Sequence, residues 1–392
     1  TVMLWTFHIV GGPRRVNHAA VAVGDKIYSF GGFVEEEDYS ESRPLDIYVF
    51  LTDMHKWIPL GVPSKDDPQY KCVPYQRYGH TVVSYGKCIY LWGGRNDEKA
   101  CDTIFCFDTE KLVWTTPETF GEVPYARDGH SACVIGDFMY VFGGFIEIYE
   151  EFTQKLHKLN LKTLKWSIVN PKGSPPSHRD FHTACSIEDK MYLFGGRSDL
   201  HGPYHTSKEV YDNNVYCYDT VTNHWECFKT TGQQPCGRRS HSAFAYNGKM
   251  YVFGGFNGIL RRHFNDLYEF DPASSCWSPV QCSGPYPSLR RRHSFCLVGS
   301  RAYMFCGTSP WMGRDEFPEN LRQHDIDPSD VESTLISLND LHILDFEPTL
   351  KTLSALVVLR NNLDTSVLPH LLRCELNSLA IDNPTVREKT SG

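Results

Sequence analysis

The 392-residue sequence is 41% hydrophobic and 22% charged, the balance of a globular protein with ample core, and its formal net charge of −8 argues against broad nucleic-acid binding. No run approaches the roughly 18 apolar residues of a spanning helix and no basic-then-apolar leader opens the chain, so no membrane association is expected. The fourteen cysteines include no C-x-x-C pair, a pattern of reduced thiols in cytoplasm or nucleus, with neither a disulfide framework nor a zinc site; no cofactor is implied.

In chain order, "MLWTFHI" reads first as a strand carrying Trp5, with no partner near it in sequence. Six copies of one unit follow, opening at His18, His80, His130, His182, His241 and His293. Thirteen residues after each histidine stands the first glycine of an aromatic-Gly-Gly stop (Gly31, Gly93, Gly143, Gly195, Gly254), replaced by Cys306 in the sixth copy. A tyrosine stands ten residues after every histidine, at Tyr28, Tyr90, Tyr140, Tyr192, Tyr251 and Tyr303. Segments such as "HTVVSYGKCIYLWGG" hold two β-branched and aromatic runs around a short polar turn, the pattern of a hairpin. A third run follows, then a fourth with a tryptophan: Trp57, Trp114, Trp166, Trp225, Trp277. Four strands per unit at a spacing near 50 residues predict propeller blades, and the pattern resembles the kelch repeat.

After "NDLHILD" the sixth unit lacks its fourth strand and its tryptophan, so the Trp5 strand is expected to complete blade six and cover two open sheet edges. The expected fold is all-β: a closed six-bladed propeller over residues 1–346 with a long insertion at 308–337, a helical segment at 347–381 and a flexible tail at 382–392.

The repeat columns separate scaffold from site. Arginine precedes the histidine by three residues in all six units (Arg15, Arg77, Arg127, Arg179, Arg238, Arg290), as does a group that bridges neighbouring blades. The two columns between them vary: Val16-Asn17, Tyr78-Gly79, Asp128-Gly129, Asp180-Phe181, Arg239-Ser240 and Arg291-Arg292. They are expected to ring the mouth of the central channel, cationic in blades five and six and anionic in blades three and four. Guanidiniums with a hydroxyl suit a carboxylate. Asp128 and Asp180, expected across the mouth, suit a cation, and together the two halves suit a peptide with a basic residue near its free carboxylate. The acidic loop Glu35–Glu41 is a further candidate for the cation.

Beyond Phe346 the period becomes helical. In "TLKTLSALVVLR" the residues Leu350, Leu353, Val357 and Leu359 are expected on one face, and "VLPHLLRCELNSLA" repeats the pattern with Pro369 suited to a first turn. Thr349-Leu350, Ser354 and Val358 resemble an elongin-binding BC box, with serine at the usual cysteine, and "LPHLLRCEL" from Leu368 and Pro369 resembles a following cullin-2 box. With "WGGRND", "ARDGHSACV" and "GRRSHSAF", the whole chain resembles the kelch-propeller substrate receptors of cullin-2 RING ubiquitin ligases. That resemblance implies elongin B/C, cullin-2 and a RING-box protein as partners, and substrates whose C-terminal peptides end in glycine after Arg, Lys or Gln. By motif position it assigns Arg239, Ser240 and Arg291 or Arg292 to the terminal carboxylate. The ligase machinery, not this chain, would carry out bond chemistry.

A copper radical oxidase would need a Tyr/His cluster standing apart from the repeat, and the tyrosines and histidines follow the repeat instead. The other alternative is a chromatin-associated kelch protein with a meiotic or recombination role, its arginines facing phosphate or a histone tail. The final "VREKTSG" places Gly392 after Lys389 and Arg387, reminiscent of the expected ligand, and two readings stay open: an idle tail, or self-occupancy of the mouth, in cis or by self-association between molecules, as a brake.

Overall fold

The computed structural model describes residues 3–311 and 334–380. Six antiparallel sheets are built on the same plan. The innermost strands are Ala19–Val23, Tyr78–Tyr85, Ser131–Ile135, Thr183–Ile187, Ser242–Tyr246 and Ser294–Val298. The tryptophan-bearing outer strands are Lys56–Leu60, Val113–Thr115, Lys165–Val169, His224–Cys227 and Cys276–Pro279. In the sixth sheet that outer place is taken by Leu4–Ile9, which pairs antiparallel with Leu341–Asp345, Trp5 opposite Leu344.

The core lies between blades, as six apolar clusters that each join one blade to the next. In each, an outer-strand tryptophan packs against the second-strand aromatic of the preceding blade: Trp114 on Phe30, Trp166 on Trp92, Trp225 on Phe142, Trp277 on Phe194 and Trp57 on Phe305, with ring centroids 5.0–5.8 Å apart. Trp5 completes the set against Phe253 at 5.8 Å. Chain closure therefore repeats the ordinary junction between blades.

Three blades carry a fifth, two-residue strand that the sequence pattern did not disclose. Phe120–Gly121, Lys172–Gly173 and Thr231–Gly232 each pair in parallel with the outer strand of the blade they are about to enter. A two-residue pairing has no periodicity to read, but it has a marker: Gly121, Gly173, Gly232 and Gly284 each stand six residues before the column arginine. A Cβ at these glycines would lie 2.0–2.3 Å from the carbonyl oxygen of the blade tryptophan, so no other residue fits.

The six histidines and six arginines are scaffold. Burial drives His18, His80 and His241 down to about 3, so they are neutral packing groups. The arginines bridge differently from the expectation. It is the arginine carbonyl that crosses to the preceding blade, accepting from its second stop glycine, as Gly94 N–H donates to Arg127 O at 2.9 Å. The guanidinium stays in its own blade, where Arg77, Arg127, Arg179 and Arg238 donate to the carbonyl of the first stop glycine at 2.8–3.2 Å. Carboxylates complete four of them: Asp46 for Arg15, Asp212 for Arg179, Asp266 for Arg238 and Asp340 for Arg290.

Thr308–Pro310 pairs with Leu335–Ser337, so the last-blade insertion leaves and re-enters through a short ribbon; 312–333 lie outside the described residues. Two helices follow the propeller, α1 (Leu350–Arg360) and α2 (His370–Ala380). Thr349 caps α1, its hydroxyl accepting from Thr352 N–H at 3.1 Å. The expected single apolar face of α1 is in fact two. Leu356 is buried in the cluster joining blades six and one, with Leu359 against it, and Arg301 donates to the Thr352 hydroxyl at 3.1 Å. Leu350, Leu353 and Val357 point to solvent, at 83%, 38% and 53% exposure. A helix apolar on both sides can serve two surfaces at once.

Deleting residues 1–10 removes the outer strand of blade six and the wholly buried Trp5, leaving Leu341–Asp345 as an open edge. The truncated protein is expected to aggregate or to lose cooperative unfolding in a calorimetric scan. An unchanged melting transition would rule out this closure.

Candidate functional site at the channel mouth

Six residues, one per blade, form a closed ring of backbone hydrogen bonds around the channel. Gly79 N–H donates to Asn17 O, Gly129 to Gly79, Phe181 to Gly129, Ser240 to Phe181, Arg292 to Ser240 and Asn17 to Arg292, at 2.7–3.2 Å. All six have left-handed backbones, with φ between 46° and 69°. Glycine takes this conformation freely, whereas Phe181 and Arg292 hold it at a cost on the order of 1 kcal/mol each. The turn sends the preceding residue, the other varying column, to the rim. The ring and the histidines beneath it line a narrow cavity of about 110 Å³.

Each rim residue is bridged to the residue after its own blade's Gly-Gly stop: Val16 to Phe33, Asp128 to Phe145, Asp180 to Arg197, Arg239 to Phe256 and Arg291 to Thr308, with Tyr78 opposite Arg95 in the extended strands of blade two. This third varying column escaped the sequence reading, although the same comparison of repeat positions marks it. It supplies aromatic floors to the charged column: Arg291 lies 4.4 Å over the Phe256 ring and Arg239 5.7 Å from it.

Arg239, Ser240, Arg291 and Arg292 come together as one half-buried patch. Burial lowers Arg291 to about 10, with Arg292 and Arg239 adding to the shift, and burial with Arg239 lowers Arg292. Among the described residues, no carboxylate lies within ion-pair distance of Arg291 or Arg292. Arg239 differs: its Nη1 is 3.3 Å from Glu209 Oε1, which is also 3.3 Å from Arg197 Nε, while Tyr211 donates to Glu209 Oε2 at 2.7 Å. Glu209 lies in a two-residue strand whose counterparts, Glu151–Phe152, Arg262–His263 and Leu335–Ser337, follow loops of other lengths, which is why counting from the histidines could not align it.

Asp180 lies beside the arginines, close enough for Arg239 and Arg197 to act on it, and not across the mouth as expected. Asp128 and Asp180 are both buried, each packed over the ring glycine of the preceding blade, Gly79 and Gly129. Burial raises Asp180 to about 8, with Asp128 adding and Arg239 and Arg197 opposing. Burial likewise raises Asp128 to about 6 against the pull of Arg95. The acidic loop turns inward through aromatic contacts: Tyr39 donates to Gly32 O at 2.5 Å and packs between Phe33 and Tyr78. Glu37 is spent on Arg15 and Gln76.

At the far end of the molecule, Leu350 and Ser354 are exposed, Val358 and Leu368 are half-buried, and Pro369 is exposed immediately before α2. Val358 and Leu368 line a cavity of about 380 Å³ that separates the helices from Phe7, His55 and Arg301 of the propeller. Gly392, Lys389 and Arg387 lie outside the described residues.

Six blades of four antiparallel strands, three of them with an added two-residue strand, a Gly-Gly stop in five and a variable rim define a kelch propeller, and the chain belongs to the kelch-repeat family. Residues 79–307 match a KLHDC2/KLHL20/DRC7 Kelch-repeats domain, and residues 14–61 match a Kelch motif. The chain is similar to Kelch domain-containing protein 3 of Homo sapiens and of Bos taurus, at 46% identity over 384 residues and 97% of each chain. Host cell factor 2 of Homo sapiens is 29% identical over 257 residues, which cover 62% of this chain and 32% of that protein.

The Asp180 shift has a direct consequence for stability. An unfolded aspartate ionises near pH 3.9. Between there and about 8 the folded protein keeps a proton that the unfolded chain has released, so stability falls as pH rises through this window. The slope for this one group is at most about 1.4 kcal/mol per pH unit. Asp180→Asn is expected to flatten the decline of melting temperature between pH 5 and 8. Parallel profiles for the two proteins would show that Asp180 is ionised throughout.

Proposed function

We propose that this protein is the substrate-recognition subunit of a cullin-2–elongin B/C RING ubiquitin ligase, and that its channel mouth captures protein C-termini ending in glycine after a basic residue or Gln. The observation that carries this reading is the pair Arg291 and Arg292, half-buried beside Arg239 and Ser240 with no carboxylate of the described chain within ion-pair distance. Guanidiniums depressed by burial and by a neighbouring guanidinium (Arg291 by Arg292 and Arg239, Arg292 by Arg239) are relieved by a bound anion, and a terminal carboxylate fits their forked geometry. The cavity inside the ring, about 110 Å³, admits a chain end and excludes a large terminal side chain, which favours glycine.

The basic residue of the ligand falls to Glu209 and Asp180. A ligand carboxylate on Arg239 replaces Glu209 there, freeing an acceptor beside Tyr211 for an incoming guanidinium or ammonium. The same cation at Asp180 draws off the proton that burial retains. Elongin B/C and cullin-2, with the RING-box protein, then dock on the outer stripe Leu350, Leu353, Val357 of α1 and the start of α2, while Leu356 keeps the helix on the propeller.

A fluorescent peptide ending in Arg-Gly is expected to bind, and its C-terminal amide to bind at least about 30-fold more weakly, because a desolvated charge pair is worth 2 kcal/mol or more. Arg291→Ala should have the same effect as the amide, and Glu209→Gln should weaken Arg-Gly relative to Gln-Gly. Equal binding of acid and amide would sink the assignment of the mouth.

Leu350→Ser removes an anchor that is 83% exposed in the free protein, so the propeller should melt unchanged while co-purifying elongin C falls about tenfold or more. Undiminished elongin C would leave α1 as a packing helix and refute the ligase reading, independently of the peptide result.

A further inference from the structure

The seam that closes the propeller holds a cluster outside the repeat. His8, on the closing strand Leu4–Ile9, stands directly opposite His342 on Leu341–Asp345. Their rings stack at 4.4 Å with planes 16° apart. Both Nε2 atoms address one oxygen, Asp340 Oδ2, at 3.4 Å from His8 and 3.0 Å from His342. One donor atom from each of the three residues falls within 4.8 Å of the others.

We propose that His8, Asp340 and His342 form a site for a divalent transition metal, with Zn(II) the best match, that staples the N-terminal strand to blade six. Two imidazoles and a carboxylate are ligands that Zn(II) takes readily, and tetrahedral bonds of about 2.0–2.1 Å set neighbouring donor atoms roughly 3.3–3.4 Å apart. The His8–Asp340 and His342–Asp340 separations are already near that spacing, but rings 16° from parallel aim their Nε2 lone pairs side by side, so on binding the exposed His8 ring turns out of the stack and the ion displaces Arg290 Nη2 from its 3.4 Å approach to His342 Nε2. Asp340 is held for the purpose: Arg290 grips it as a fork, Nη1 to Oδ1 at 2.8 Å and Nη2 to Oδ2 at 2.9 Å, which keeps the carboxylate anionic and fixed in direction. His342 is buried and rigid, whereas the His8 side chain is 43% exposed, leaving an open side for entry of the ion and for a water as fourth ligand.

The location makes the metal a sensor of closure. Positions 8 and 342 meet only when the first strand has docked, so the unfolded chain and an opened ring have no such site. Binding then stabilises the closed ring by mass action. None of this is legible from the cysteine pattern, which says nothing of histidines far apart in sequence.

The test uses the full chain without an affinity tag, stripped with chelator, and zinc chloride alone as the probe. Calorimetric titration is expected to give one equivalent bound, and 100 µM zinc should raise the melting temperature by at least about 2 °C. Cobalt(II) in place of zinc should give the visible bands of a tetrahedral ion. His8→Gln, read against its own metal-free melting, should abolish the stoichiometric binding, the zinc shift and the cobalt bands. Wild-type protein with no one-equivalent binding or no cobalt spectrum would overturn the proposal. So would a His8→Gln variant that keeps them, because the ion would then be held elsewhere.

Discussion

Everything at the working end of this molecule depends on the ring of six backbone hydrogen bonds around the channel. Each bond requires a left-handed residue immediately before the blade histidine, and each links a blade to its predecessor. The ring is closed, so no member can relax without disturbing the others. The same turn lifts the preceding residue to the rim, and so converts a scaffold requirement into six positions whose side chains are free to vary. Four non-glycine residues accept the conformation, and two of them, Ser240 and Arg292, belong to the candidate carboxylate site. The backbone cost at Arg292 is thus met by the closure of the ring, not by local preference.

The distinction between scaffold and site was legible because the fold is repetitive. A property shared by all six blades, such as the neutral buried histidines, needs only a packing reason. A property confined to two blades does not. Arg239, Ser240, Arg291 and Arg292 are legible as neighbours in this way, and Glu209 is not, because the loop before its short strand differs in length from those of the other blades. Comparison of columns also misjudges Asp180. Sequence order places blades four and five side by side, but which way a rim side chain turns depends on the small residue beside it, here Gly129, over which Asp180 folds inward. Burial then governs its protonation, and no sequence pattern carries that quantity.

The helices teach the same lesson from the other side. A helical period in the residues of α1 is readable, and by itself it implies one apolar face serving one surface. The propeller takes Thr352, Leu356 and Leu359, and leaves Leu350, Leu353 and Val357 outward. Apolar residues distributed all round a helix do not state which of them the parent domain will claim. Only the position of blades one and six does.

The sequence by itself determined the all-β class, the number of blades, the junction aromatics and the use of the first strand to finish the last sheet. It could do so because these rest on local periodicity repeated six times, and on a missing tryptophan that Trp5 supplies. The tertiary structure alone decided which arginines lack a carboxylate among the described residues, where Glu209 intervenes, how far burial moves Asp180, and that His8 meets Asp340 and His342. These are relations between residues far apart in the chain. Their strength depends on distance and desolvation, which exist only after the ring has closed.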